Sequence, residues 1–308
     1  MSTDDLVIAP LGEGDLEPLA AFMREQNNAA TDAGRLRHWY LDNPAGRATV
    51  IVGRIGGRIV GMSTTNDHRF RGPGGEALVA MPQKVLTDAS VRGRGIFQRL
   101  YHATEQAARA KGAGFLLTVT NAASTPIFLG RFGYVRLPVP RMLVWPALPG
   151  GVRGEVPPDA WAAHAWTTED GSVWHLSRDA AHLHWRYSAH PDRAHEQHAF
   201  ATADGHARIV LKRIRRRGLP VMLLLELVAT DPGSARMALR NARRLAWRNG
   251  CIALMGLRTR QLLVASRGTV HLTVSSGFNL LVKGLDEGAT ARLSAQPFEL
   301  ALGDLDFL

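Results

Sequence analysis

The period of the apolar positions changes repeatedly along this chain, which predicts short strands and helices in mixed order. Leu6 to Leu11 (LVIAPL) reads as a first strand. Asp15 to Asn28 reads as a helix, with Asp15 as its cap and Leu16, Leu19, Ala20 and Met23 on one face. A second helix, from about Asp32 to Leu41, groups Leu36, Trp39 and Tyr40 before Asn43-Pro44 stops it. Ala48–Ile55 and Arg58–Asn66 alternate as strands, and Gly56-Gly57 between them is a hairpin signal. The next strand, Glu76 to Thr87, is interrupted by Pro82, which cannot donate to a ladder and belongs at an edge or bulge. Ile96, Leu100, Ala103 and Ala107 recur at helical spacing up to the stop at Lys111-Gly112, and Phe115–Val119 has the continuous run of a buried strand.

A proline- and glycine-rich stretch from Leu137 to Gly154 marks a boundary, dividing the chain into residues 1–148 and 149–308. Beyond it, strands are expected at His198–Ala203, Ala207–Arg213, Pro220–Ala229 and Cys251–Gly256, with a helix from Ser234 to Arg248. Val270–Val274 and Phe278–Lys283 read as a closing pair around Ser276-Gly277. This order of strands, helix and strand repeats that of the first half. The fold class is therefore α/β in the α+β sense: a mixed, mostly antiparallel sheet flanked by helices, followed by a second lobe of similar pattern.

Composition narrows the functional classes. With 308 residues and 45% hydrophobic content the chain can bury a sizeable core. No apolar run is long enough to cross a membrane as a helix, and the acidic N-terminus (MSTDDLVIAPLG) does not resemble a signal peptide. Cys251 is the only cysteine, so no intrachain disulfide exists; a cytoplasmic location is expected, and the thiol, set in an apolar strand, reads as inert. The net charge of +10 is carried mostly by arginine and spread evenly, 17 Lys+Arg against 12 Asp+Glu in residues 1–150 and 20 against 15 in the rest. Such a diffuse field suits anionic ligands, whereas nucleic acid would be better matched by a stripe, and it is not expected as a partner. The sharpest cluster, Lys212 to Arg217, precedes Gly218-Leu219-Pro220 and reads as a solvated hairpin.

Candidate chemistry concentrates between Gln83 and Lys111. A strand ends near Thr87, Val91-Arg92-Gly93-Arg94-Gly95 turns, and a helix begins at Ile96. Glycines let the backbone bend and be approached closely, and the helix start offers unpaired N–H groups and the positive end of its dipole, a seat for phosphate. The residue three places after Gly95 is Gln98, which excludes G-x-G-x-x-G, and no Gly-Lys-Ser/Thr occurs, which excludes the P-loop. What remains resembles the acyl-CoA signature Q/R-x-x-G-x-G/A of the GNAT superfamily of N-acyltransferases, here Ser90 to Gly95 with Ser90 departing from the family's preference. The following strand, Asn121, the short helix after it and Gly133-Tyr134 resemble the same family in type, order and spacing from about Glu76 to Val144.

The resemblance implies a GNAT-like fold, with the fourth strand bulged and splayed from the fifth so that a pantetheine arm enters the gap. It implies acetyl-CoA or another acyl-CoA as co-substrate, held by Leu86, Thr87, Arg92, Gly93, Arg94, Gly95, Ile96, Asn121 and Ser124. It implies direct attack by a primary amine on a small-molecule acceptor: an amino sugar, an aminoglycoside or a peptide amine. Asp88 and Glu76 are the candidate general bases, with His68 a further polar group nearby. The tyrosine that commonly serves as general acid is replaced by Leu129, so Tyr134 or Tyr101 substitutes, or the thiolate leaves unaided. The second half has Thr230-Asp231-Pro232-Gly233-Ser234 where a second loop would be, so it reads as a degenerate GNAT-like lobe without its own acyl-CoA site. Its L-x-W-R-Y element, Leu183–Tyr187, and the G-D-x-D ending, Gly303–Asp306, resemble tandem members of the family.

Other readings stay open on sequence alone. The missing tyrosine is compatible with a non-catalytic CoA- or metabolite-sensing module, and the basic charge with nucleic-acid binding. A homodimer is compatible with the second lobe. No metal site is expected: His182, His184, His190, His195 and His198 lack carboxylates or cysteines at a recurring ligand spacing. G-x-S-x-G does not occur, so serine hydrolase chemistry has no support.

Overall fold

A computed structural model describes residues 5–26, 31–157, 171–192 and 195–305. Asn27 and Asn28 at the expected end of the first helix, and Asp306 of the terminal motif, lie outside the described residues. In chain order the first elements are β1 (Val7–Pro10), α1 (Leu16–Glu25), α2 (Ala33–Tyr40), β2 (Thr49–Ile55), β3 (Arg58–Gly72), β4 (Gly75–Thr87), α3 (Ile96–Ala110), β5 (Phe115–Thr120), α4 (Thr125–Arg131), β6 (Val135–Arg136) and β7 (Arg141–Pro146). Asp32 caps α2, accepting from Arg35 N at 2.8 Å. Asp15 does not cap α1 forward as expected; its carboxylate reaches back to Gly12 N at 2.9 Å and pairs with Arg54.

The β2–β3 hairpin turns at Gly56 and Gly57, with φ of 57° and 79°, the left-handed pair that two-residue turns require. β3 runs six residues past its expected end, because Asp67 to Gly72 keep pairing with the start of β4 while Phe70 stays in the core. At Pro82 the ladder breaks: Thr65 faces Pro82 and Ser63 faces Val85, leaving Gln83 and Lys84 opposite Thr64 alone. Thr64 Oγ1 accepts from Lys84 N at 3.2 Å and so replaces part of the lost ladder. This is the bulge the proline announced.

The later elements are β8 (Glu155–Val156), β9 (Trp174–Leu176), α5 (Ala180–Leu183) running into a π-helical turn (His184–Ser188), β10 (Glu196–Ala201), β11 (His206–Arg216), β12 (Leu219–Ala229), α6 (Pro232–Arg248), β13 (Ala253–Leu257), α7 (Arg260–Ser266), β14 (Leu272–Ser275), β15 (Asn279–Gly284), α8 (Ala289–Ser294) and β16 (Phe298–Glu299). The basic run closes the β11–β12 hairpin, which turns at Arg217 and Gly218. Antiparallel β11–β12, then α6, then β13 parallel to β12 repeat the order of β3–β4, α3 and β5. α7 and α8 were not foreseen; α7 is set by Thr259 capping Leu262 N at 3.1 Å.

The first sheet has the order β1-β2-β3-β4-β5-β15-β6, with β9 on β3 and β16 on β9; the second is β14-β7-β13-β12-β11-β10-β8. Ser276-Gly277 is thus not the turn of a hairpin. β14 pairs with β7 in the second sheet, and β15 crosses to pair with β5 and β6 in the first. β7, conversely, leaves the first half of the chain to pair with β13.

Four layers result. α3 and α4 cover the outer face of the first sheet through Leu100, Tyr101, Phe128 and Phe132. Its inner face carries Phe70, Val79, Phe115 and Leu117 against Val221, Leu223, Leu225 and Met255 of the second sheet. α6 and α7 cover the far side of the second sheet with Ala238, Leu245 and Leu262. α1 and α2 close the remaining end of the first sheet's inner face, packing Leu19, Met23 and Leu36 against Val52 and Met62.

Candidate active site

β4 ends at Thr87 and a single 3-10 turn, Ala89–Val91, leads into the glycine loop. Asp88 builds this turn: its carboxylate accepts from Ser90 N at 2.9 Å and Ser90 Oγ at 2.8 Å, and pairs with Arg58 at 2.8 Å. Val91, buried, pins the loop to the core, and Arg92 Nε donates to Thr87 O at 3.2 Å. Gly93 and Gly95 have φ of 78° and 74°, and a Cβ at either would touch nothing, so glycine is required by conformation and not by space. Gly95 is the N-cap of α3 and makes no side-chain cap, which leaves the helix start open toward an anion.

Beside the loop the sheet opens. β4 and β5 run parallel but pair only at Val79–Phe115 and Ala80–Leu116. Beyond the bulge they diverge, and Leu86 and Thr87 line one side of the gap. Parallel strands bring their C-terminal ends to one edge, so the turn at Asn121 stands on the same edge as the glycine loop. Asn121 Oδ1 accepts from Ala123 N and Ser124 N, both at 3.0 Å, and from Ser124 Oγ at 3.1 Å, which starts α4. The expected cofactor residues are therefore brought together around one gap.

The two expected bases are not brought to the same place. Hydrogen bonds from Ser90 hold the Asp88 carboxyl below its ordinary range, so it is a structural anion with little basicity. Glu76 pairs with Arg69 at 2.8 Å near the opposite end of β4, roughly 33 Å of extended strand from Leu86. Neither is suited to take a proton at the gap. Tyr101 and Tyr134 share a hydrogen bond of 2.5 Å in a buried aromatic cluster, where burial pushes both phenols up. Leu129 packs against that cluster, and neither tyrosine is open to a leaving thiolate.

Sequence reasoning missed the polar row on the inner face of β3. Thr64, Asn66 and His68 alternate with Met62 and Phe70 on that face, and all three are buried. Both amide atoms of Asn66 lack a hydrogen-bond partner although the residue is fully buried. His38 and Trp39 from α2, and His182 and Trp185 from α5 and the π-helical turn, close over the row. The available signal was an unbroken polar run, Ser63 to Arg69, between the apolar Met62 and Phe70. His182 lies on α5. Among the described residues, no group of histidine, cysteine or acidic side chains is arranged to hold a metal ion.

Among the described residues, the corresponding place in the second lobe is closed. At the start of α6, Asp231 accepts from Gly233 N at 2.7 Å and Ser234 N at 2.9 Å, placing a carboxylate where a phosphate would sit. The gap between β12 and β13 is filled by Arg178 and the segment Glu299–Leu302, leaving about 50 Å³, room for a few waters. Arg178 bonds Glu226 at 2.7 Å and Asp304 at 2.7 and 2.8 Å, and Tyr187 donates to Glu226 at 2.9 Å. Arg186 donates to the carbonyls of Gly303 and Leu305. The W-R-Y and G-D elements are thus two halves of one buried polar knot.

Residues 13–136 match the family model described as an acetyltransferase (GNAT) domain. Among solved structures, the chain is similar to a GCN5-related N-acetyltransferase from Anabaena variabilis, with 10% identity, TM-score 0.68, and 92% of this chain and 74% of that one covered. It is also similar to a GCN5-related N-acetyltransferase from Kribbella flavida, with 16% identity, TM-score 0.61, and 92% and 72% covered. A third is Eis1 from Mycobacterium abscessus, with 14% identity, TM-score 0.53, and 91% and 74% covered. No curated protein matches the chain. The bulged and splayed β4, the glycine loop before α3 and these likenesses agree: residues 13–136 match a GNAT acetyltransferase domain model, and the fold of the chain is GNAT-like.

Proposed function

We propose that the protein is an acyl-CoA-dependent N-acyltransferase, in its simplest form an acetyltransferase acting on a primary amine of a small molecule in the cytoplasm. The observation that carries this reading is the gap between β4 and β5 opening onto an uncapped helix start. In it, the backbone from Arg92 to Ile96 holds the pyrophosphate, with Arg92 and Arg94 adding charge. Leu86 and Thr87 present main-chain groups to the pantetheine arm, and main-chain N–H groups of β4 near the bulge polarise the thioester carbonyl, an oxyanion-type effect. Asn121 and Ser124 border the opposite wall. Residues 1–148 form the acyl-CoA lobe and 149–308 the degenerate one, each completed by a strand of the other.

Calorimetry with acetyl-CoA tests the reading. Gly93→Glu forces a side chain into left-handed backbone and brings a carboxylate to the anion seat, so affinity falls by 100-fold or more, on the order of 3 kcal/mol. Undiminished binding by that variant, or no binding by the wild type, overturns the assignment. A second reading, a non-catalytic CoA-sensing module, is favoured by one observation: neither Leu129 nor the closed Tyr101–Tyr134 pair can donate a proton to the leaving group. Release of CoA from acetyl-CoA in the presence of amines separates the two, since a sensor binds without turnover.

A further inference from the structure

α3 is 15 residues long, and its two ends stand in different surroundings. Its start meets the glycine loop. Its last turn, about 22 Å away at 1.5 Å per residue, lies beside the beginning of β2. β1 covers that edge of the sheet only from Ile51 to Arg54 and ends at Pro10. Leu11 N donates to Val50 O at 2.9 Å, and the chain then turns toward α1. A cavity of about 270 Å³ lies in the angle so formed, between Leu11–Glu13, the start of β2 and the end of α3.

Most of its wall is apolar: Leu11, Leu16, Leu41, Val50 and Ile51, with the small Ala107 on the side of α3. The space is that of roughly nine water-sized groups. Arg47 and Lys111 bring two cations to it, against the single carboxylate of Glu13, which pairs with Arg47 at 2.9 Å in an exposed position. Lys111 Nζ donates to Asp67 Oδ2 at 2.8 Å and to the Arg47 carbonyl, which leaves one of its three protons to give.

Thr49 lines the same cavity. It is only 6% exposed, and its hydroxyl has no hydrogen-bond partner. It belongs to a group of such atoms. Thr49 faces Thr65 across the β2–β3 ladder, and Ser63 and Asp67 stand two residues to either side of Thr65 on the same face of β3, the face that α3 covers. Ser63 Oγ, Thr65 Oγ1 and Asp67 Oδ1 are likewise buried without a partner. A buried polar atom left unpaired costs stability, so four on one patch of sheet call for a use, and Thr49 connects the patch to the cavity.

The donors select the ligand's head. An ionised carboxylate only accepts hydrogen bonds, and Thr49, Lys111 and Arg47 can all donate. An ammonium group would meet two cations. The walls select the rest: a short hydrocarbon chain or one aromatic ring is matched by leucine, isoleucine and valine, and a larger molecule exceeds the volume.

We propose that this cavity, at the far end of α3 from the glycine loop, binds a small monocarboxylate with an apolar body. Thr49, Lys111 and Arg47 hold its head, and Leu16, Leu41 and Ile51 surround its tail. The site is distinct from the gap between β4 and β5, and the proposal does not depend on the acyltransferase reading. Binding involves no covalent step.

The test uses the whole protein in calorimetry with hexanoate and benzoate, and with hexanol and hexylamine as neutral and cationic counterparts of hexanoate. Both carboxylates are expected to bind saturably, and the alcohol and the amine at least about tenfold more weakly. Thr49→Val removes the hydroxyl at nearly constant shape. It is expected to lower hexanoate affinity about tenfold while the urea midpoint holds or rises, because an unpaired buried group is lost. Ala107→Phe fills the cavity from α3 and is expected to abolish carboxylate binding. Absence of saturable binding by wild type overturns the proposal, as does hexanol binding as tightly as hexanoate. Hexanoate binding that survives Ala107→Phe but is lost in Gly93→Glu places the carboxylate in the acyl-CoA gap and also overturns it. If Ala107→Phe does not fold, undiminished hexanoate affinity in Thr49→Val overturns it instead.

Discussion

A side chain at Gly303 would run into Tyr187 Oη and Glu226 Oε1. The glycine is therefore the point at which the end of the chain is pressed onto the buried Arg178–Glu226–Asp304 knot. Burial pushes the Glu226 carboxyl up while Arg178 pulls it down, so the carboxylate depends on that partner. Gly303→Ala forces these groups apart in a close-packed interior and is expected to cost about 2 kcal/mol or more. A urea unfolding midpoint unchanged from wild type would show that the knot yields freely. At the same scale, Asp88 shows how a residue type can mislead: an acid next to a glycine loop invites a catalytic role, yet its oxygens are spent on Ser90 and Arg58.

Two helices with the same place in their lobes differ in one feature that separates their uses. α3 starts from Gly95 with no side chain on its first N–H groups, while α6 starts from Asp231, which occupies them. A helix start attracts one anion, and in α6 that anion is part of the protein. The strands before them differ correspondingly: β4 parts from β5 to leave an open gap, and β12 parts from β13 only to be filled by Arg178 and the C-terminal segment. The expected stoichiometry is one acetyl-CoA per chain. Calorimetric titration giving two equivalents would mean that α6 releases its cap to a ligand.

The two sheets are completed by exchange. β15, near the end of the chain, lies between β5 and β6 of the first sheet, and β7 is spent in the second. A fragment of residues 1–148 would expose the edge of β5, with Leu117 and Val119 uncovered, and would carry β7 without β13. Such an edge is a template for aggregation. The fragment is expected to be insoluble or to lack a cooperative melt by circular dichroism; a soluble fragment with a sharp transition would show that the exchange is not needed for folding.

Local signals were enough for the hairpin at Gly56-Gly57, the bulge at Pro82, the glycine loop and the helix behind it, because each depends on dihedral preferences or a missing N–H within a few residues. They also showed that the second half has no such loop. They could not place β15, since an apolar six-residue strand pairs equally well with any open edge, and only the assembled sheets select β5. Nor could they bring together His68, His182 and His38, which lie far apart in sequence and meet only when α2 and the π-helical turn close over β3. Glycine-loop geometry is written in neighbouring residues. The surroundings of the buried polar row on β3 come from α2, α5 and the π-helical turn, and those exist only in the folded chain.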